Sequence, residues 1–191
     1  MIQKEYQKVY TTASGDSILD EVDIADGIYT PDAQPDIARN VEITVTDLDT
    51  SISAGTITVN GYDNEGVLVS ESFDLSMALT FTGDVGFASI INIVVSNLTG
   101  ADPTGDTIAV ATGSILQITN GKTILRAVQI GDSAGSGNVQ VIDNIAGSTT
   151  NVALIANGVP EGNYWFDCSI ALGIRIINGL DAGITIIWEK I

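Results

Sequence analysis

The sequence predicts an all-β protein: an antiparallel β-sandwich, of jelly-roll or Ig-like type, built as two β units with an extended N-terminal arm. Three observations carry that prediction. Apolar and polar residues alternate over short runs, the period of a strand with one buried face. Turn signals rich in Gly, Asn and Asp separate the runs. No stretch shows the 3.6-residue apolar period of an amphipathic helix. The expected boundaries are 1–37 for the arm, 38–119 for the β-sandwich domain and 120–191 for a smaller C-terminal β domain.

Residues 1–37 read as an arm because their apolar residues are scattered. Ile18, Leu19, Val22 and Ile24 lie among Asp16, Asp20, Glu21, Asp23 and Asp26, a pattern open to a helical turn or a strand. Pro31 and Pro35 mark an extended connection. An arm that buries little of itself is either frayed or laid across a neighbour.

From Ala38 onward strand follows strand. Val41, Ile43 and Val45 alternate with Glu42 and Thr44, and Asp47 to Ser51 forms a loop. The clearest unit is a hairpin over 55–76, turning at Asn64-Glu65-Gly66. A type I turn closed by a left-handed glycine and a G1 bulge sets Asp63 opposite Val67. Counting back pairs Gly61 with Val69, Val59 with Glu71 and Ile57 with Phe73 on one face, and Asn60 with Ser70, Thr58 with Ser72 and Thr56 with Asp74 on the other. A one-residue slip scrambles both faces, so the reading requires Gly66 at positive φ. A turn falls within 81–87, and 88–96 is a strand with apolar residues on both faces. A turn-rich loop spans 99–106, and strands follow at 107–111 and 114–119.

Asn120-Gly121 marks the boundary of the second unit. Strands are expected over 123–130, 138–143, 152–155, 163–170, 173–177 and 183–190, with turn signals at Asn157-Gly158 and Asn178-Gly179. Roughly seventy residues is small for independent stability, so this unit is expected to pack against the first or against another subunit.

Charge narrows the function. The 191 residues carry a formal net charge of −17. Residues 40–121 contain ten acids and no Lys or Arg, a segment unable to neutralise phosphates, which disfavours nucleic acid and anionic membranes as partners. The ordinary reading of such acidity is solubility and resistance to non-specific association, and the alternative is steering toward a basic partner. No apolar signal core opens the chain and no apolar run reaches membrane-spanning length, so a soluble protein is expected. The absence of histidine removes the commonest general base, the Ser–His and Cys–His nucleophile pairs and most zinc sites. The lone Cys168, in a strand-like setting, reads as an inert buried thiol that forms no intrachain disulfide.

Each motif with a chemical meaning has a plainer structural one. Gly131-Asp-Ser-Ala-Gly135 matches the nucleophile elbow of hydrolases in letters only, because no helix signal and no histidine accompany it; it reads as a β–β loop. Lacking a lysine, it is not a phosphate loop either. Calcium could be held by Asp47 with Asp49, by Asp102 with Asp106, or by Asp20, Glu21, Asp23 and Asp26, but none follows the EF-hand pattern, and solvated loop carboxylates are the default. Asn97-Leu98-Thr99 forms a glycosylation sequon that has no meaning without secretion. Glu71 falls on the apolar face of the hairpin, where it lies at a sheet rim, pairs with Arg39 or Lys122, or marks an interface; the rim is favoured because an unpaired buried carboxylate is costly. No catalytic, cofactor-binding or metal-binding residue is assigned.

One resemblance bears on setting. The stretches 35–46, 54–63, 66–75 and 86–90 (Pro35-Asp-Ile-Ala-Arg-Asn, Gly55-Thr-Ile-Thr-Val-Asn-Gly-Tyr62, Gly66-Val-Leu-Val-Ser-Glu71 and Gly86-Phe-Ala-Ser-Ile90 among them) resemble a β-rich segment of tailed-bacteriophage virion proteins. The closing Gly179-Leu-Asp-Ala-Gly-Ile-Thr-Ile-Ile-Trp-Glu189 is similar in style to the last strand of small phage head proteins. The resemblance covers about half the chain and transfers no functional residue. It implies a non-enzymatic structural virion protein, first of all a capsid decoration or cement protein on the outside of the head, made in the host cytoplasm. Such a protein would bind the major capsid protein or other virion proteins and associate with itself, a trimer being favoured. A neck, tail or head-fibre component is the alternative within that setting. A carbohydrate- or cell-surface-binding β module is the alternative of another class, and a carboxylate-based hydrolase comes last.

Overall fold

The computed structural model describes residues 4–9, 16–102, 105–120, 122–131, 139–143, 151–156, 160–171, 173–178 and 184–190. The chain is all-β and divides into two compact units, Ser14–Gly113 and Met1–Ala13 together with Ser114–Ile191. The first is thus inserted in sequence within the second. They are called here the inserted unit and the split unit.

The inserted unit contains β2 (Ser17–Asp23), β3 (Gly27–Tyr29), β4 (Arg39–Thr46), β5 (Ala54–Tyr62), β6 (Leu68–Asp74), β7 (Thr80–Thr82), β8 (Ser89–Thr99) and the first part of β9 (Thr107–Asn120). They form two four-stranded arrays, β2-β9-β4-β7 and β3-β8-β5-β6. The pairing is nested: β2 with β9, β3 with β8, β4 with β7 and β5 with β6, all antiparallel. A long hairpin of four strand pairs, rolled so that alternate pairs fall in opposite sheets, is a jelly roll. Its core follows from the alternation of each strand. Val41, Ile43 and Val45 from one sheet meet Ile57, Val59, Ile93 and Val95 from the other, with Ile108 and Val110 beside them. Phe73 and Phe81 add a tilted aromatic contact at 5.4 Å between ring centroids.

The hairpin has the expected register throughout, from Thr56 opposite Asp74 to Gly61 opposite Val69. Gly66 has φ of 77°. The Asp63 N–H donates to the Val67 carbonyl at 2.9 Å, and the Gly66 N–H to the Asp63 carbonyl at 3.1 Å. The Asp63 carboxylate accepts the N–H groups of Glu65 and Val67, which explains a buried aspartate at the head of the turn.

The split unit contains β1 (Lys4–Val9), the rest of β9, β10 (Thr123–Ile130), β11 (Val139–Asp143), β12 (Asn151–Ile155), β13 (Gly162–Ile170), β14 (Gly173–Asn178) and β15 (Ile184–Lys190). Its arrays are β1-β15-β10-β13 and β12-β11-β14-β9. The nesting repeats: β1 with β15, β9 with β14, β10 with β13 and β11 with β12. This is a second jelly roll, whose first strand is separated from its second by the whole inserted unit. Leu125, Val128, Ile174, Ile176, Ile184, Ile186 and Trp188 are among its buried residues.

Of the two sandwich types expected, both units therefore have jelly-roll strand order. The domain boundaries differ from the expected ones. The chain divides at 13/14 and 113/114, where 37/38 and 119/120 were expected. The described parts of residues 1–37, Lys4–Val9 and 16–37, are not a free arm. Lys4–Val9 pairs along its whole length with β15, and Ile18, Leu19 and Ile24 are buried in the inserted unit. The physical reason is that an eight-stranded jelly roll needs a first strand beside its last, and these segments supply it. The segments 107–111 and 114–119, read as separate strands, are one strand through Gly113. Gly121, residues 132–138, Asn157-Gly158 and Gly179 lie outside the described residues, and with them all but Gly131 of the elbow-like stretch.

Candidate functional site

The one group of acidic side chains close enough to share a cation, among the described residues, is Asp47, Asp49 and Asp106, with one oxygen of each within 4.8 Å of the others. Asp47 and Asp49 sit in the loop after β4, and Asp106 immediately precedes β9. The sequence suggested Asp47 with Asp49 and Asp102 with Asp106 as separate pairs; the fold joins Asp106 to the first pair across more than fifty residues.

The carboxylates of this group are engaged by backbone amides. Asp106 accepts the N–H of Leu48 on Oδ1 at 3.0 Å and that of Asp102 on Oδ2 at 2.8 Å. Asp47 accepts Ser51 and Ile52 on its two oxygens, each at 3.0 Å. Asp49 accepts Ser51 at 3.1 Å. The Asp49 pKa is lowered, first by the Ser51 side-chain hydrogen bond, against a smaller desolvation effect. These bonds tie the loop over 47–52 to Asp102 and Asp106, and the Ser51 side chain lies within hydrogen-bond reach of the Gly100 carbonyl. The cluster therefore has a complete structural role in holding two loops together. Its free lone pairs are chemically suited to a hard cation.

The third acidic group disperses. Asp20 accepts the Ser17 hydroxyl at 2.6 Å, Glu21 the Thr107 hydroxyl at 2.7 Å and Asp26 the Leu98 N–H at 2.9 Å. Asp20 and Glu21 instead line a shallow groove of about 180 Å³ with Glu42 and Thr44, an acidic trough on the β2-β9-β4 side of the inserted unit.

Glu71 pairs with neither Arg39 nor Lys122. Its carboxylate accepts the N–H of Asp84 at 2.7 Å and of Val85 at 3.2 Å, and Arg39 forms an ion pair with Asp36 at 3.0 Å. Asn97 of the sequon is exposed, with φ of 56°. Cys168 is half-buried on β13, and burial pushes its thiol pKa up, so it stays protonated and a poor nucleophile.

Sequence reasoning missed two features. Arg126 bridges Asp167 and Glu189, each at 2.7 Å. It sits where the register of β10 shifts against both neighbours, and those two acids raise its pKa, Glu189 foremost. The only signal available was an Arg inside an apolar strand. The second feature is the partition of charge. The inserted unit, residues 14–113, has seventeen acids and one base, net −16; the remaining residues have seven acids and six bases, net −1. Reading charge by unit was impossible before the chain's division was known.

No family model matches the chain, and no curated protein matches it.

Proposed function

We propose that this protein is a non-enzymatic structural component of a tailed-phage virion, first of all a capsid decoration or cement protein that binds the outside of the head and stabilises the shell. The observation that carries the reading is the pair of nested jelly rolls with almost the whole net charge on one of them. Jelly rolls serve as building blocks in capsids, lectins and cupins alike, so the fold is an analogy only. The charge partition adds support for a docking role. A near-neutral unit can be buried against another protein without stranding charges, while a strongly acidic one resists non-specific association.

Docking falls to a β face or edge, because the N-terminal segment is committed to its sheet. Among the described residues, strand β13 is at the edge of its four-stranded array. It carries Tyr164, Trp165 and Phe166 in succession, and Trp165 is 67% exposed. An open edge offers backbone groups for strand addition, and a large exposed aromatic is the usual anchor of a protein interface. The proposal assigns the major capsid protein to this edge. Co-sedimentation with expanded empty heads lacking the protein tests it: saturable binding and a higher disruption temperature are expected, and Trp165→Ala weakens both. Binding to tails and not to heads would move the protein to the neck or tail.

The same Trp165 favours a second reading, a carbohydrate-binding module in which the indole stacks on a sugar ring. Glycan-array binding lost in Trp165→Ala, with heads left unbound, would select it.

A further inference from the structure

We infer that two copies of the chain meet face to face through the outward surface of the β3-β8-β5-β6 sheet. This rests on the structural reading above and puts a two-fold dimer in place of the trimer that the resemblance implies, because a face that pairs with its own copy does so about a two-fold axis. In β5 the residues Ile57 and Val59 point into the core, which turns Thr58, Asn60 and Tyr62 outward. The register places Ser72, Ser70 and Leu68 of β6 beside them, and Asn92 and Val94 of β8 on the other side.

Charge singles this face out. The unit carries seventeen acids, yet the outward positions of this sheet hold one, Asp74, at the end of β6. That carboxylate is occupied by the Ser76 N–H and hydroxyl at 2.9 and 2.7 Å. Two strongly acidic chains repel wherever carboxylates meet carboxylates, and this is a broad surface on which they do not.

The chemistry of the face fits its own copy. Asn, Ser and Thr each offer a donor and an acceptor, so a row of them can pair with the same row turned about a two-fold axis, which a row of carboxylates cannot. Part of that capacity is already met internally. The Asn60 amide donates to Asn92 at 2.8 Å, and the Thr58 and Ser72 hydroxyls lie 2.9 Å apart. Covering the face therefore removes fewer bonds to water. Exposed apolar side chains supply the attraction: Leu68 at 64% and Tyr62 at 43% along one end, Ile91 beside them at a register shift, and Ile28 at 71% on the edge strand β3. The face is thus an uncharged polar centre flanked by exposed apolar side chains, and contiguous exposed apolar groups mark interaction surfaces.

Sedimentation velocity on the full chain tests the inference. The wild type is expected to form a dimer of about 40 kDa from the 19.9 kDa chain, and added salt should tighten it by screening like charges. Leu68→Asp and Ser70→Asp place like charges against each other across the two-fold, and together should weaken association by more than about tenfold. Thr80→Asp and Thr82→Asp together add the same two charges at the exposed positions of β7 in the other sheet and should leave the dimer intact. Circular dichroism confirms that each variant is folded. A wild type that stays monomeric throughout, or an oligomer unchanged in the Leu68→Asp/Ser70→Asp variant, would overturn the inference. Either result leaves head binding by the wild type to be scored on its own, so failure of this contact is distinct from failure of the virion reading.

Discussion

Glu71 accepts the backbone N–H of Asp84 at 2.7 Å, and that bond accounts for a carboxylate on the apolar side of a hairpin. Its other oxygen takes the N–H of Val85 at 3.2 Å. The loop between β7 and β8 has no strand partner for these donors, and a half-buried orphan amide is costly. Gly83 permits the approach, because a Cβ there would overlap Glu71 Oε2. Glu71→Ala is expected to destabilise the inserted unit by about 1–3 kcal/mol, the range for losing charge-assisted hydrogen bonds. Glu71→Gln keeps one acceptor and should lose about half as much. Urea unfolding of both variants checks the order, and equal stability of Glu71→Ala and wild type would refute the assignment.

Two glycines of the hairpin differ in what they permit. Gly66 has open space around it and needs only its positive φ of 77°, so Gly66→Ala should cost about 1–2 kcal/mol of left-handed strain. Gly61 is inward, and a Cβ there would strike the Ser89 carbonyl and the Phe87 ring. Backbone cannot yield as a side chain can, so Gly61→Ala should cost about 1–3 kcal/mol by overpacking. Thermal melts separate the mechanisms: Gly66→Asn, which tolerates the left-handed region, should recover stability, whereas no side chain rescues position 61.

Thr112 is buried, and its hydroxyl has no hydrogen-bond partner among the described residues. Its backbone N–H donates to the Asp16 carbonyl at 2.9 Å, so the strand is held without the side chain. Replacing an unsatisfied hydroxyl by a methyl of similar shape removes a desolvation penalty, and valine suits a strand. Thr112→Val should stabilise the inserted unit by about 1 kcal/mol, seen as a higher urea midpoint at unchanged slope.

The Asp74 carboxyl lies below its ordinary pKa because the Ser76 hydroxyl and then the Ser76 N–H bind its charged form. A pKa lowered on folding contributes stability that is present above the unfolded value and is lost as pH falls through the folded value. Ser76→Ala should therefore raise the Asp74 pKa in a carboxyl-detected NMR titration. It should also be less stable than wild type at neutral pH, and the difference should vanish at pH below the folded Asp74 value, where both carboxyls are protonated. A difference that persists there would assign the loss to packing.

The hairpin was fully legible because a three-residue turn and two clean alternations fix the register together. Strand β2 was not. Ile18 and Leu19 are adjacent and both buried, and the pairing with β9 shifts twice, between Ser17 and Leu19 and between Leu19 and Val22. Such bulges erase the two-residue period that marks a strand. Strand β1 pairs with β15 across nearly the whole length of the chain, a contact for which local sequence holds no signal. The acidic site was half legible: Asp47 and Asp49 share a loop, but Asp106 joins them only because the jelly roll brings the end of β4 beside the start of β9. The Glu71 partners are backbone amides, which no residue identity announces.

The virion reading rests on where this chain sits in a particle. An electron cryomicroscopy map of the phage, resolved well enough to trace strands, tests it most directly. Density for both nested jelly rolls is expected on the outer surface of the head, with edge strand β13 and Trp165 against the major capsid protein. A head surface without that density, or a particle without this chain, would contradict it.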